Sequence, residues 1–360
     1  MHPAKTQFVK VRREAAEKTK KLLMHNRLMD RQRYVEHSPS YVLFPVVDIE
    51  NERIKKLLEM VGAELVLHEG IKKEVQQDYH SALRSAISEN ELKELVRGYD
   101  LLGNIAIIEV PKSLQKKKRE IAKAILKANR HVETVLEKAG PVSGKYRTRE
   151  LHYISGKRNY IARYVENGCT MLFDVRKAFF SNRLSYERSR IAALAKDGEN
   201  VIVMFAGVGP FVLVLAKAHK RSRVTGIELN RSAYGYMKRN IELNKLENAK
   251  AVWGDVSKAY RHYIGKADRV IMPLPKSSMH FIKEAVAISK KRAMLHVYAF
   301  CRIGKGREMA EEVKKEIRGF GAKASLDFIR VVRPYSAVEE EIVLDFSITK
   351  ARATAKNRLR

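Results

Sequence analysis

A short glycine-containing loop is the first place in the sequence where chemistry is expected. Residues 205–210 read Phe-Ala-Gly-Val-Gly-Pro, follow an apolar run over 201–204 and precede a second apolar run. Such a turn between a strand and a helix lets backbone N–H groups approach a small ligand. A dinucleotide fingerprint needs a third glycine three residues after the second, where this sequence has Val212. A turn that serves packing alone is the alternative.

Two carboxylates downstream of the loop strengthen the ligand hypothesis. Glu228 ends the expected second strand, where a carboxylate can accept both hydroxyl protons of a ribose. Asp255 ends the expected third strand and could accept a hydrogen bond from an adenine amino group. Either carboxylate could instead cap a helix. Together with Phe205, Gly207 and Gly209 they predict a pocket for an adenosyl group. S-adenosylmethionine fits this pattern better than NAD, because the loop lacks the pyrophosphate spacing.

The elements that must position these residues begin at about residue 175, where strand and helix patterns alternate. Helical patterns separate the first five strand candidates. This rhythm predicts an α/β fold with a doubly wound, mostly parallel sheet in a domain over 175–350. The last two strands have no helix between them, which predicts an antiparallel addition at one edge. The expected strands are 201–205, 223–229, 249–254, 269–274, 292–300, 326–332 and 340–348.

Two small α+β domains are expected before this one. Residues 1–75 predict an N-terminal domain, and residues 68–83 predict a polar linker. Residues 85–174 predict a basic middle domain with a hairpin turn at Asn167 and Gly168, and 351–360 form a basic tail. In the first domain we expect strands over 8–11 and 41–47 and helices over 13–29 and 48–65. In the second we expect helices over 89–99 and 112–131, and strands over 105–110, 146–155, 158–165 and 170–175.

Charge indicates the kind of partner. Lys and Arg number 71 against 41 Asp and Glu, a formal net charge of +30. A surplus of this size favours a polyanionic partner, and nucleic acid is the first candidate. A generally charge-rich surface is the alternative, although it would raise acidic and basic residues together. The expected helix over 112–131 holds eight Lys or Arg and one Glu, which makes it a candidate for phosphate contacts as well as a solvated helix face.

Composition excludes several other classes. No apolar run approaches the roughly 18 residues that span a bilayer, and the N-terminal residues lack the apolar stretch of a secretory signal. Cys169 and Cys301 are too few for a disulfide framework or a cysteine metal cluster, and the 11 His have no spacing that implies a shared metal. We therefore expect a cytoplasmic protein without a metal site and without a membrane partner.

Five segments share their residues with one known family. They are KYRTREL at 145–151, VENGCTMLFDVRKAFFSNRLSYERSRIA at 165–192, FAGVGPF at 205–211, IELN at 227–230 and MPLPKSS at 272–278. In these segments the chain resembles the archaeal and eukaryotic tRNA (guanine-37-N1)-methyltransferase family, and the resemblance covers nearly the whole chain. It implies a class I, Rossmann-like methyltransferase domain preceded by two RNA-binding domains. It also implies S-adenosylmethionine as cofactor, tRNA rather than DNA as partner, and a monomer.

The second segment holds the catalytic candidates. Methylation at N1 of guanine removes a proton, so it needs a base and a group that stabilises charge on O6. By resemblance Glu187 is the base, and Arg183 and Arg188 beside it orient a phosphate or the carboxylate. An ordinary surface pair between Arg183 and Glu187, four residues apart on a helix, is the alternative from the residues alone.

Three further positions take their roles from the resemblance. Arg147 matches the arginine implied to stabilise O6, although the neighbouring Arg149 could be the true match. Phe179 stands at the family's aromatic position near the target base, with simple core packing as its alternative.

The sequence departs from the family at the end of the fourth strand. Most relatives have a line like Asn-Leu-Pro, and this chain reads Met272-Pro273-Leu274-Pro275. Proline offers neither a side-chain acceptor nor an N–H, so a base could be held only by a carbonyl, that of Met272 or Leu274. We expect Pro273 to border the cofactor and Pro275 to border the substrate.

This departure keeps other substrates open. The branch of the family involved in wyosine synthesis methylates carbon 7 of the tricyclic guanosine derivative at position 37, alone or in addition to N1. A branch that transfers the aminocarboxypropyl group usually lacks the full N-terminal domain, and residues 1–75 argue against it. A ribosomal RNA methyltransferase and a non-catalytic RNA-binding protein with a degenerate fold are the remaining alternatives.

Overall fold

The computed structural model divides the chain into two units, Met1–Ala82 and Leu83–Arg360. It describes residues 6–26, 28–30, 33, 35–38, 40–47, 49, 52–69, 83–84, 87–95, 99–140, 144 and 148–350. Arg147, most of the predicted linker and the predicted basic tail lie outside these residues. No helix in the described ranges is long and apolar enough to cross a membrane.

Within its described residues, the first unit contains a four-stranded antiparallel sheet and two α-helices. Its strand order is β2-β3-β1-β4, and β1 pairs with both β3 and β4. The helix predicted over 48–65 ends earlier than expected, because Gly62 adopts a φ of +69° after it and the chain then turns into a strand. The elements are β1 (Thr6–Arg12), α1 (Ala16–His25), β2 (Glu36–His37), β3 (Tyr41–Pro45), α2 (Glu52–Met60) and β4 (Ala63–His68).

The second unit begins with a four-stranded mixed sheet of order β5-β6-β7-β8. The basic helix predicted over 112–131 is present as a 3₁₀ turn followed by α4, which connects the parallel strands β6 and β7. One face of α4 is apolar and buried, and the opposite face carries its cations. The elements are α3 (Glu89–Glu94), β5 (Asp100–Leu102), β6 (Ile105–Ile108), α4 (Lys118–Ala128), β7 (Thr134–Lys138) and β8 (Leu151–Gly156).

The predicted hairpin is confirmed as β9 (Ile161–Glu166) and β10 (Cys169–Asp174). Asn167 and Gly168 form its two-residue turn with φ of +48° and +70°. Left-handed conformations at both positions match the twist of the flanking strands, which is why Asn-Gly is favoured there.

A seven-stranded sheet of order β13-β12-β11-β14-β15-β17-β16 forms the rest of the unit. The first five strands are parallel, and β17 pairs antiparallel with both β15 and β16, as predicted for the last two strands. The strands are β11 (Asn200–Met204), β12 (Arg223–Glu228), β13 (Ala249–Trp253), β14 (Ala267–Met272), β15 (Ser289–Arg302), β16 (Ala322–Pro334) and β17 (Glu339–Lys350). The helices are α5 (Ser185–Leu194), α6 (Pro210–Ala218), α7 (Arg231–Leu243), α8 (Val256–Ala259), α9 (Ile282–Ile288) and α10 (Gly306–Gly319).

Helices cover both faces of this sheet. Along β11 the side chains of Val201 and Val203 join the core beneath α5, α6 and α7, and those of Ile202 and Met204 join the core beneath α9 and α10. A strand buried on both faces explains the continuous apolar run in the sequence. The carboxyl ends of β11, β12, β13 and β14 meet at one edge, where the candidate site lies.

Candidate active site

The glycine loop leaves β11 in an unusual backbone conformation. Phe205, Gly207 and Gly209 have φ of +54°, +58° and +92°. Gly209 precedes α6, and a Cβ there would lie 2.8 Å from Met237. Phe205 tolerates the left-handed region in spite of its side chain, and its ring packs edge-on against Phe281 at 4.8 Å. The packing against Met237 therefore excludes a side chain at Gly209, and the positive φ favours glycine at both Gly207 and Gly209.

Glu228 braces this loop from the end of β12. One carboxylate oxygen accepts a hydrogen bond from the N–H of Gly207 and the other from that of Asn230, each at 2.7 Å. Burial raises the pKa of Glu228 above its ordinary value, and these backbone N–H groups act in the opposite direction. A carboxylate has about four lone-pair sites, so these contacts leave acceptor capacity for a ribose hydroxyl.

A cavity of about 420 Å³ opens in front of the loop; we call it the glycine-loop cavity. Its volume lies within the range of cofactor sites. Asp255 lines it and also caps α8 by accepting from the N–H and Oγ of Ser257, so the alternative role of helix cap is observed, and the contact with an adenine amino group stays a prediction. Gly209 and Pro275 lie outside its described lining. The lining residues are Gly144, Phe179, Phe205, Gly207, Glu228, Leu229, Asn230, Ala233, Asp255, Val256, Pro273, Leu274, Lys276, Ser277 and Phe281.

The proline-containing loop after β14 is held by a serine that sequence reasoning missed. The Oγ of Ser278 lies 3.0 Å from the carbonyl oxygen of Met272 and 2.9 Å from that of Leu274. The Leu274 carbonyl also accepts from the N–H groups of Ser277 and Ser278. The expectation that one of these carbonyls holds a substrate base stays a prediction, because the hydroxyl of Ser278 has one hydrogen to donate and each carbonyl oxygen has two lone pairs. Pro273 lines the cavity as expected.

A second cavity of about 400 Å³ adjoins the first; we call it the arginine cavity. Phe179 lines both cavities and is 37% exposed, so core packing is not its role. The arginine cavity has an apolar floor that includes Phe173 and Phe180, and a polar rim. The charged residues of its lining are Asp100, Lys138, Arg149, Arg183 and Arg333. Four cations and one carboxylate suit an anionic ligand with an aromatic portion.

Arg149 is the cation of this cavity with spare hydrogen-bonding capacity. Its Nε is buried, and no atom in the described part of the chain accepts a hydrogen bond from it. A buried N–H group without an acceptor costs free energy of folding unless a ligand accepts a hydrogen bond from it. Arg147, the first choice by resemblance, lies outside the described residues.

Glu187 lies on α5 in the interior, with a side chain that is 2% exposed. Its Oε1 accepts from Arg330 at 3.0 Å, and its Oε2 accepts from Arg190 at 2.9 Å and from the hydroxyl of Tyr298 at 3.3 Å. It lines neither cavity. The predicted base is therefore closed off by three donors in this structure.

The two arginines expected beside Glu187 have other partners. Arg183 contacts Asp100 at 3.2 Å rather than Glu187, so the surface pair four residues apart is absent, and its exposed guanidinium lines the arginine cavity. Arg188 is 1% exposed and donates to both oxygens of Glu166 at 2.5 and 2.6 Å. Arg188, predicted to orient a phosphate or the carboxylate of Glu187, thus pairs with the carboxylate of Glu166 and is buried in this structure.

Comparisons with known proteins account for most of the chain. The family model of the TRM5/TYW2 methyltransferase domain matches residues 162–329, that of the TYW2 N-terminal domain matches 79–159, and that of the tRNA methyltransferase 5 N-terminal domain matches 9–55. The tRNA (guanine(37)-N(1))-methyltransferase Trm5b of Pyrococcus abyssi is 33% identical over 96% of this chain and 99% of its own length. The chain belongs to the TRM5/TYW2 methyltransferase family.

Other members of the TRM5/TYW2 family extend the comparison. The tRNA (guanine(37)-N(1))/4-demethylwyosine(37)-methyltransferase Taw22 of Nanoarchaeum equitans is 28% identical over 71% of this chain and 97% of its own length. The crystal structure of P. abyssi Trm5b has a TM-score of 0.69, with 31% identity over 96% of this chain and 99% of that one.

Two solved complexes of the TRM5/TYW2 family show bound molecules. One is aTrm5 with tRNALeu, with a TM-score of 0.65 and 25% identity over 95% of this chain and 99% of that one. The other is M. jannaschii TYW2 with AdoMet, with a TM-score of 0.56 and 25% identity over 71% of this chain and 100% of that one. Family and neighbours confirm the predicted fold class and the class of S-adenosylmethionine-dependent methyltransferases.

Replacing Glu228 should separate cofactor binding from folding. In Glu228→Gln the amide NH₂ must face the N–H of Gly207 or that of Asn230, and it cannot accept a ribose hydroxyl proton. We expect calorimetry to show S-adenosylmethionine bound at least about tenfold more weakly, as for the loss of a charged acceptor. Unchanged affinity in a folded variant would contradict the role of Glu228.

Proposed function

We propose that this protein transfers the methyl group of S-adenosylmethionine to N1 of guanosine 37 in tRNA. The observation that carries the proposal is the shared wall of the two cavities at Phe179. A methyl donor in the glycine-loop cavity and a flipped-out base in the arginine cavity would meet beside this ring. The names of the Trm5b relatives support the same reaction.

The chemistry assigns a role to Glu187. S-adenosylmethionine supplies a methyl group whose bond to sulfur breaks as the bond to N1 forms. The proton on N1 must leave, and in this proposal the carboxylate of Glu187 accepts it. The carboxylate is buried under its three donors and lines neither cavity, so in this proposal tRNA binding displaces at least one donor to expose it. Arg330 is the donor with an exposed side chain, and its guanidinium stacks on Tyr186 at 3.9 Å from the ring centre.

The O6 of the base needs a donor as electron density shifts towards it. Arg149 lines the cavity proposed for the base, and its buried Nε has no acceptor in the described part of the chain. This observation favours Arg149 for the role, with Arg147 as the alternative that the resemblance suggests. Arg183 and Arg333 on the same cavity would meet the phosphates that flank the base.

Carbon 7 of the 4-demethylwyosine intermediate is the second candidate acceptor. Two observations favour it: Pro273 replaces the usual Asn, and the Taw22 relative is named for both reactions. An acceptor loop without a side-chain hydrogen-bonding group suits a bulkier base that is held by shape. An intact glycine-loop cavity counts against a non-catalytic RNA-binding protein.

The predicted domains complete the proposal. Residues 1–75 would check the shape of the tRNA, the domain over 85–174 and the tail over 351–360 would hold its phosphates, and the domain over 175–350 would catalyse the transfer. We propose that the enzyme acts as a cytoplasmic monomer and has no DNA partner.

Nucleoside mass spectrometry tests the reaction directly. Purified protein is incubated with S-adenosylmethionine and an unmodified tRNA transcript that has guanosine at position 37, with an adenosine-37 transcript as control. We expect 1-methylguanosine from the first and no methylated product from the second. A product formed only from tRNA carrying 4-demethylwyosine would select the second candidate. No product from any substrate, with S-adenosylmethionine bound, would overturn the proposal.

Glu187→Gln tests the base. We expect turnover to fall by about 10²–10⁴-fold with cofactor affinity nearly unchanged. The variant also loses charge from a buried network, so Asp345→Asn, which perturbs the same network at Arg190 and His296, is the matched control. Both should lower the melting temperature, and only Glu187→Gln should lower turnover by this factor. An equal loss of turnover in the two variants would assign Glu187 a structural role.

Substitutions on the exposed face of α4 test whether this helix contacts tRNA phosphates. Arg119, Lys123 and Lys127 lie four residues apart, are exposed and have no acidic partner in the described ranges. Replacing all three with Gln should reduce the slope of log affinity against log salt by about 2–3 in tRNA-binding titrations. Lys117→Gln is the control, because that ammonium already pairs with Glu91 at 2.7 Å. An unchanged slope in the triple variant would exclude this face from tRNA binding.

A further inference from the structure

Asn240 on α7 and Asn244, which caps the C-terminus of α7, pair with β10 in the way that a neighbouring strand would. Asn240 accepts from the N–H of Leu172 at 2.8 Å and donates to its carbonyl at 3.2 Å. Asn244 accepts from the N–H of Thr170 at 2.8 Å and donates to its carbonyl at 2.7 Å. Residues four apart on a helix and two apart on a strand share a face, so the two amides match the spacing of the strand.

Asn240 makes one contact that Asn244 lacks. Its second N–H donates to the carbonyl of Val208 at 3.1 Å, and Val208 lies between the two glycines of the cofactor loop. The second N–H of Asn244 instead donates to the backbone carbonyl of Asn240. Asn240 is fully buried, and its amide uses both donors and its acceptor. One buried side chain therefore ties the loop to β10.

The strand that it ties leads to the arginine cavity. Phe173 near the end of β10 lines that cavity, and Val175, Ala178 and Phe179 follow it along the wall. A shift of Val208 relative to Leu172 would therefore change the spacing between the cofactor loop and the wall that both cavities share. Asn230 adds a second tie, from the cofactor site to the carbonyl of Lys177 at 2.8 Å.

We propose that Asn240 is a positioning residue for methyl transfer, which holds the cofactor loop in its binding conformation and in register with the wall of the base cavity. Asn244 only fastens β10. The inference rests on the proposed function in one respect, which is that the glycine-loop cavity binds S-adenosylmethionine.

The test compares Asn240→Asp with Asn244→Asp. Each variant keeps the size of the side chain and the acceptor for the strand N–H, but it loses two donors and places a carboxylate against two carbonyl oxygens. We expect both to lower the melting temperature. Only Asn240→Asp should reduce the affinity for S-adenosylmethionine, about tenfold in calorimetry. It should also raise KM for the cofactor more than it lowers kcat. For Asn244→Asp we expect a cofactor affinity and a cofactor KM within about twofold of the wild-type values. Equal changes in the two variants, or none, would overturn the proposal.

Amide exchange in the wild-type protein gives an independent test if Asn240→Asp does not fold. Cofactor binding should slow exchange of the Leu172 N–H, which donates to Asn240, more than that of the Thr170 N–H, which donates to Asn244. Equal slowing would contradict a link through Asn240. Calorimetry on the wild type comes first: no binding of S-adenosylmethionine there would be a failure of the proposed function, seen before any variant is compared.

Discussion

A row of buried, alternating charges fixes the candidate base against the sheet. Glu187 accepts from Arg190, Arg190 donates to Asp345, and Asp345 accepts from Nδ1 of His296 at 2.6 Å. The Nε2 of His296 lies 2.7 Å from Arg269, which can only donate, so this nitrogen accepts and the imidazole is neutral. Burial lowers the pKa of His296 and keeps it in this form. Each side chain in this row thus keeps its hydrogen bonds only while its neighbours stay in place.

This dependence explains why α5 has a single position over the sheet. Removing one partner of a buried ion pair costs about 3–5 kcal/mol, because the other charge stays buried without compensation. Tyr298 and Arg190 donate to Glu187 from the interior, whereas Arg330 donates from the edge strand β16 and keeps about a third of its side chain exposed. Of these donors, Arg330 can exchange a carboxylate for a tRNA phosphate with the smallest loss of buried contacts. The network therefore combines a rigid interior with one exchangeable contact.

Local patterns predicted the elements, and long-range pairing decided the site. The βα rhythm, the Asn-Gly hairpin and the position of Glu228 after β12 follow from spacing along the chain. The partner of Arg183 does not, because Asp100 is 83 residues away and competes with the nearer Glu187. Asn240 carried a weak signal, a polar residue on the buried face of a helix, but its partners lie 68 and 32 residues away. The backbone strain at Phe205 has no signal in the sequence, because only the folded loop places that residue at positive φ.

The proline-containing loop after β14 bears on which part of the site recognises the base. Pro273 gives the loop no side chain that could hydrogen-bond a base. The hydroxyl of Ser278 lies within hydrogen-bonding distance of the carbonyls of Met272 and Leu274 and donates to one of them at a time, so it holds the loop backbone in place. The loop forms part of the wall of the glycine-loop cavity through Pro273 and Leu274. In the proposed function, hydrogen bonds to the base come from the arginine cavity, where the buried Nε of Arg149 has no acceptor in the described part of the chain.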